Sequence, residues 1–308
     1  MQAGVAENMA GHHQPVMTRE VMEFLAVKQG LYVDATIGGG GHSELILRHL
    51  QQGVLVGIDQ DPDALVRVQQ RLGHDPRLRL VHANFATLGQ VLSRIPEAKP
   101  GAAGILFDLG VARFQVTTPG RGLSYTWRAP LDMRLDPTSD GPTAATLIRH
   151  SSEQELARTI RDYGEERFYR RIGRRLAALR KQLLTTADLA EAVRSVVPLR
   201  FQARAVMRTF QAFRIAVNHE LENLQAGLAQ ALDCLAFGGR ILVMSYHSLE
   251  DRIVKQSFRG AAAAGRLEIL TRKPRRPGAD EVAANPSARS ARLRAAAGLA
   301  DRERKVST

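Results

Sequence analysis

"YVDATIGGGGHSELIL", residues 32–47, decides the fold. The apolar run "GLYVDATIG" (30–38) reads as a buried strand, and "SELILRHL" (43–50) carries helical apolar spacing with Ser43 in its first turn. Four glycines join them. Glycine reaches positive φ and lets another group come close to the backbone. A strand that opens through such a loop onto a helix N-terminus is where α/β sheets collect ligands.

Working outward, the alternation continues. "GVLVGIDQD" (53–61) is a second apolar run that ends in acid, and Pro62 can open the helix "PDALVRVQQRL", because its missing N–H is not needed there. "LRLVHANF" (78–85) and "GILFDLG" (104–110) read as further strands. Strands alternating with helices of this length predict an α/β fold with a doubly wound, mainly parallel sheet. The pattern then stops: residues 118–207 hold a Gly/Pro-rich loop and several helical stretches, which predicts a helical insertion. Residues 208–239 read as one long amphipathic helix ended by Gly238 and Gly239, and "RILVMSYHS" (240–248) returns to the sheet. The last forty residues, rich in Pro and Arg, read partly as loop. The expected organisation is therefore 1–117 and 208–308 as the two parts of one core, with 118–207 between them.

Three positions add chemistry to the glycine loop. Asp59 lies 21 residues after Gly38, at the end of the next strand, where an acid can accept hydrogen bonds from two ribose hydroxyls. A helix cap before Pro62 is the plainer role, which Asp61 can serve equally. Gly38-x-Gly40-x-x-Ser43 lacks the third glycine of a dinucleotide fingerprint, which weakens a nicotinamide reading. Nicotinamide and S-adenosylmethionine cofactors share this geometry. Asp108 ends the fourth strand and can orient an amine or accept a proton. Tyr246 and His247 follow the next strand and belong to the same edge of the sheet.

Charge points to a polyanion. The formal net charge is +12, and it is concentrated. Arg158–Lys181 holds nine basic against three acidic residues, and Arg266–Thr308 eleven against five. Two basic segments on a neutral body suggest nucleic acid. A single cysteine excludes an internal disulfide framework. No apolar stretch reaches membrane-span length, and the N-terminal residues lack a signal-peptide pattern, so a cytoplasmic protein is expected. His12 and His13 form the one weak metal lead and read better as a terminal pair; no metal is expected.

At this point the residues match a known pattern. "HQPVMTREV", "DATIGGGGHS", "GIDQDPDAL", "FDLGV", "RGLSY", "PLDMRLDP", "YGEERF", "RTFQAFRIAVNHEL" and "SYHSLEDRIVKQSF" occur in the order of one family. The chain resembles, over roughly residues 12–297, the RsmH (MraW) family of bacterial 16S rRNA cytosine-N4 methyltransferases. The resemblance implies a class I (Rossmann-like) methyltransferase core with a helical insertion, S-adenosyl-L-methionine as cofactor, and a decoding-centre cytosine (cytosine 1402) of 16S rRNA in the small ribosomal subunit as acceptor. By position it carries cofactor contacts onto Gly40, Gly41, His42, Asp59, Phe85, Asp108 and Gln115. For catalysis Asp108 is the expected acceptor of the amino hydrogen bond, with His247 and Tyr246 placed to orient or stack the base. The Arg-rich stretch from Arg158 would hold phosphates, and Tyr125 and Trp127 would stack on splayed bases.

Two segments depart from the family. Where it has Ser-Ser-Pro after "DLGV", this chain has Ala112-Arg113-Phe114, and "RAVMR" (204–208) replaces "HPATR". Both departures leave room for a different nucleic-acid target, RNA or DNA. An NAD-dependent oxidoreductase and a non-catalytic nucleic-acid-binding regulator on the same fold are the remaining alternatives. A homodimer is the oligomeric expectation, set by no particular motif.

Overall fold

The computed structural model describes residues 15–118 and 120–299; His12 and His13 lie outside them. The chain forms two compact units. One comprises the described residues up to Ala112 together with those from Asn223 onward, and the other is Arg113–Glu222. The divisions thus fall at 112/113 and 222/223, where the sequence pattern suggests 117/118 and 207/208.

In the first unit, seven strands form one sheet: β1 (Gln29–Asp34), β2 (Gln52–Asp59), β3 (Leu78–His82), β4 (Ala102–Asp108), β5 (Leu235–Ser245), β6 (Leu267–Ile269) and β7 (Arg292–Gly298). Their order is β3-β2-β1-β4-β5-β7-β6. The first five run parallel; β7 is antiparallel to both β5 and β6. The chain leaves β1 for β2 on one side and later places β4 on the other. The switch point lies between β1 and β4, and three strands around it, β1, β2 and β4, end in acids: Asp34, Asp59 and Asp108.

Period-two alternation sends neighbouring residues to opposite faces. Ile105 and Phe107 of β4 face one apolar layer, whereas Leu106 faces the other. The first layer receives α4 (Leu88–Ser93), α11 (Glu220–Cys234, from Leu224 onward) and α12 (Ser248–Ala263). The second receives α1 (Thr18–Leu25), α2 (Gly41–His49) and α3 (Pro62–Leu72). α3 opens as its sequence suggests, with Pro62 in the first turn and the Asp61 side chain accepting from the Asp63 N–H. Asp61, not Asp59, is therefore the cap.

The second unit is helical: α5 (Arg113–Thr117), α6 (Ala144–His150), α7 (Glu153–Gly164), α8 (Tyr169–Leu179), α9 (Thr186–Arg194) and α10 (Gln202–Asn218). α7 and α9 start with reciprocal capping boxes, Ser152 with Glu155 and Thr185 with Asp188. Leu156, Ile160, Ile172, Leu176, Leu189, Val193, Phe210 and Phe213 build its own core.

The single long helix expected over 208–239 is two. His219 sits at φ 50°, in the left-handed region, and separates α10 from α11. Local partners favour the break. Asn218 donates to Met133 O and Arg214 O and accepts from the Leu135 N–H, and Arg214 forks onto Glu220 at 2.7 and 2.9 Å. Gly238 and Gly239 do not end a helix; they belong to the irregular start of β5. The C-terminal stretch expected to be partly loop also carries β6, the short helix α13 (Ala279–Ala284) and β7. No helix among the described residues is long and apolar enough to cross a membrane.

Ile105 is wholly buried at the centre of the sheet. Truncating Ile105→Ala leaves a cavity and should destabilise the protein by about 2–5 kcal/mol, measured as a shifted urea midpoint with unchanged slope.

Candidate active site

The glycine loop is shaped by the acid of the neighbouring strand. After β1, Ile37 N–H donates to Ile58 O, and the Gly38 N–H donates to Asp59 Oδ2 at 2.9 Å. The other oxygen, Oδ1, accepts from the Asp61 N–H at 2.9 Å. Gly38 and Gly40 both take positive φ, 50° and 75°. Gly40 stands directly before α2, where a Cβ would also approach Val68 of α3 to 3.0 Å. From α3, Arg71 donates to Gly39 O at 3.1 Å and pairs with Glu44 in the first turn of α2. The loop is thus held from both sides, by β2 and by α3.

Asp59 is partly buried, and its removal from water lifts its pKa to about 6, against the two backbone N–H groups that favour the carboxylate. Asp34, at the end of β1, is also raised by burial; it accepts from Ser43 Oγ at 2.7 Å and ties α2 back to the sheet. Sequence reasoning passed over Asp34. Its signal was available: an acid at a strand end nine residues before a serine in a helix's first turn.

Across the switch point, the Asp108 N–H donates to Thr36 Oγ1 at 2.7 Å, so β4's last residue is fixed by the β1 exit. Tyr246 OH donates to Asp108 Oδ1 at 2.8 Å, and His42 Nδ1 lies 3.4 Å from Oδ2. The other His42 nitrogen, Nε2, donates to Val16 O at 2.9 Å. Burial alone would lower the His42 pKa; the carboxylates of Asp108 and Asp34 outweigh it and raise it. Burial, then the Asp108 charge, raises the Tyr246 pKa, so this phenol stays a donor. The Asp108 side chain keeps 17% of its surface exposed.

Tyr246 is aimed by a residue that sequence reasoning missed. Glu250 lies in the first turn of α12, and its Oε2 accepts from the Tyr246 N–H at 2.8 Å and the His247 N–H at 3.3 Å. His247 completes the reciprocal cap: its Nδ1 accepts from the Glu250 N–H at 3.3 Å. Its Nε2 lies 3.2 Å from Glu250 Oε1 but is poorly aligned for a hydrogen bond. The spacing His-x-x-Glu before an apolar helix is the signal for this box.

The structure brings Gly40, Gly41, His42, Asp59, Phe85, Asp108, Tyr246 and His247 to the carboxyl ends of the strands of one unit. Phe85 opens the short turn after β3 and meets Phe107 edge-on, centroids 5.6 Å apart. Gly41 lies under Pro15, against which a Cβ would close to 3.0 Å. Ala112, one of the departures, faces this loop, 3.7 Å from a Cβ built on Gly38. Gln115 is a buried residue of α5 in the other unit.

The charged ends fit an adenosyl ligand by donor type. Each Asp59 oxygen accepts one backbone N–H and has a further lone pair for a ribose hydroxyl.

In the helical unit, Trp127 is half exposed, with its indole N–H on Val116 O at 3.3 Å, and Tyr125 packs edge-on against Phe210. Arg167 stacks on Phe201 at 3.7 Å and Phe168 at 4.6 Å. Arg170, Arg171 and Arg174 are exposed along α8. In "RAVMR", Ala205 and Val206 are core residues, and Arg208 pairs with the buried Glu166 at 3.5 Å.

Residues 10–298 match the MraW methylase family. Relatives include the ribosomal RNA small subunit methyltransferase H of Syntrophotalea carbinolica, 45% identical over 92% of this chain and 96% of that one. The protein of the same name from Synechococcus elongatus is 43% identical over 96% of this chain and 98% of its own. Among solved structures, the N-methyltransferase NodS of Bradyrhizobium japonicum in complex with S-adenosyl-L-homocysteine is 10% identical, with 91% and 84% coverage and a TM-score of 0.37.

Because the folded-state pKa of Asp59 is raised, the native protein holds a proton that the unfolded chain has lost, between about pH 4 and pH 6. Over that window this group makes stability fall as pH rises. Asp59→Asn removes the term, so the variant's stability relative to the parent should climb from pH 4 to 6, read from paired urea titrations. A constant difference would show that Asp59 titrates normally.

Proposed function

Since the chain belongs to the MraW methylase family, we propose that it methylates the RNA of the small ribosomal subunit, at the exocyclic N4 of a cytosine. The observation that carries this reading is the Asp108 carboxylate, set at the switch point beside Tyr246 OH and the His42 ring and still partly exposed. The names of the relatives, small-subunit rRNA methyltransferases at about 45% identity, support the acceptor class.

S-Adenosyl-L-methionine is the cofactor, and when bound it supplies a methyl group already activated on a sulfonium. Asp59 would accept the ribose hydroxyls, Phe85 would lie beside the adenine, and the backbone of Gly40, Gly41 and His42 would line the methionine end. The His42 ring is committed to Val16 and Asp108, so its main chain is what it offers the cofactor. Gln115 is carried as a further cofactor contact by family position.

Cytosine N4 is a weak nucleophile, because its lone pair is shared with the ring. Asp108 accepts a hydrogen bond from the amino group, which raises electron density on nitrogen and favours a tetrahedral geometry there. The residues' further contribution is alignment of nitrogen with the methyl carbon. Tyr246 fixes one carboxylate oxygen and can border the base. His247 acts through the turn it caps, by holding Tyr246 in register. A stacked base must leave its stack to reach Asp108, at a cost of a few kcal/mol. The helical unit, with Arg170, Arg171 and Arg174 exposed and Arg167 stacked between rings, suits phosphate and base contacts.

Incubation of labelled cofactor with small ribosomal subunits lacking the modification should transfer methyl, and nucleoside mass mapping should find N4-methylcytosine. Methyl on DNA, or on another base, would replace the proposed acceptor. Asp108→Asn should lower kcat at least about 100-fold while S-adenosylhomocysteine still binds. Affinity for rRNA should fall steeply between about 50 and 200 mM salt, and Arg170→Ala with Arg174→Ala should reduce that slope; an unchanged slope would remove α8 from the RNA interface.

A further inference from the structure

We infer that His42 stands as an imidazolium paired with the second oxygen of Asp108, making His42 a positioning residue for the proposed catalytic carboxylate. The argument starts from Val16. A carbonyl oxygen can only accept, so the 2.9 Å contact with His42 Nε2 requires the proton on Nε2. A neutral ring would then turn the Nδ1 lone pair toward Asp108 Oδ2 at 3.4 Å, an acceptor facing an acceptor. A proton on Nδ1 turns the same contact into an ion pair.

The surroundings place that proton on the ring. Tyr246 OH donates to Oδ1 of the same carboxylate at 2.8 Å, and the Asp108 N–H is fixed on Thr36 Oγ1. Asp34, wholly buried at the end of β1, adds a second acid that favours a cation on His42. The other titratable groups acting on this cluster reach it through Tyr246: Glu250 in α12 and Glu281 in α13. Both are acids, and neither favours neutral His42.

The pairing also links the carboxylate to the segment before α1. Val16 O is held by His42, the Met17 N–H donates to Glu281 Oε1 at 2.6 Å, and Met17 takes φ 53° between these two anchors. The imidazolium thus spans from this left-handed turn to the site, where Tyr246 OH donates to one Asp108 oxygen and the His42 ring lies 3.4 Å from the other.

The charge state can be read without turnover, so this test is separate from the methyl-transfer reading, on which the catalytic meaning of Asp108 rests. In the full-length protein labelled with ¹⁵N-histidine, the His42 resonances, assigned by their loss in His42→Gln, should show protons on both ring nitrogens at pH 7.5. In Asp108→Asn, His42 should become neutral and keep only the Nε2 proton. A neutral ring in the parent protein would overturn the inference, as would an imidazolium that persists in Asp108→Asn. Should His42→Gln fail to fold, the shift seen in Asp108→Asn supplies the assignment. If methyl transfer is observed, His42→Gln should lower kcat more than tenfold with cofactor affinity changed less than threefold. An equal loss in both would make His42 a binding residue instead.

Discussion

The hydrogen bond from the Gly38 amide to the Asp59 carboxylate fixes the geometry on which the rest of the site depends. It joins the exit of β1 to the exit of β2 and sets the path of the glycine loop. From that path follow the start of α2, the placement of His42 in its first turn, and the contact of His42 with Asp108. The same carboxylate is the one suited to a ribose. Structural and binding demands therefore fall on one side chain, and the balance shows in its elevated pKa: burial opposes the charge, and two backbone amides support it.

Much of what identifies the family is scaffolding. In "PLDMRLDP", Asp132 accepts from Nε and Nη2 of Arg134 and from its amide, which closes a local turn. Asn218 of "AVNHEL" reaches back to the backbone at Met133 and Leu135. Glu166 of "YGEERF" is buried against Arg208 and the Phe168 amide. Asp251 of "SYHSLEDR" forks onto Arg294 of β7. These polar residues are recognisable because buried charges need specific partners, and such partners tolerate little exchange. The groups proposed to carry the chemistry are fewer: Asp59, Asp108 and Tyr246.

The parallel half of the sheet was legible in the sequence, because buried strands with Gly and acid at their ends leave a clear pattern. So was the grouping of Asp59, Asp108 and Tyr246, since strand ends converge at a switch point whatever the loops do. Three features were not. The break at His219 is invisible to apolar periodicity, which continues through it; it is set by Asn218 bonding to a loop more than eighty residues away. "RLRAAAG" has no β-branched residue, yet it forms β7, because a strand enclosed by β5 and β6 with helices near its faces needs small side chains. His247, expected to orient or stack the base, also caps α12, while Glu250, three residues on, accepts from the Tyr246 N–H. Caps and active-site residues share residue types, and only the geometry separates them.

The strand order carries a consequence for biogenesis. β4 ends at Asp108, but its second neighbour, β5, begins at Leu235, and β5 in turn waits for β7 at Arg292. As the chain emerges from its own ribosome, all residues of the helical unit are made by Glu222. β4 meanwhile presents an unpaired apolar edge, a surface prone to wrong partners. The nascent protein must shelter the β4 edge until β5 is made, and the β5 edge until β7 follows at Arg292. Truncation near the C-terminus would therefore leave β5 without its outer neighbour, and with it the platform that carries Tyr246.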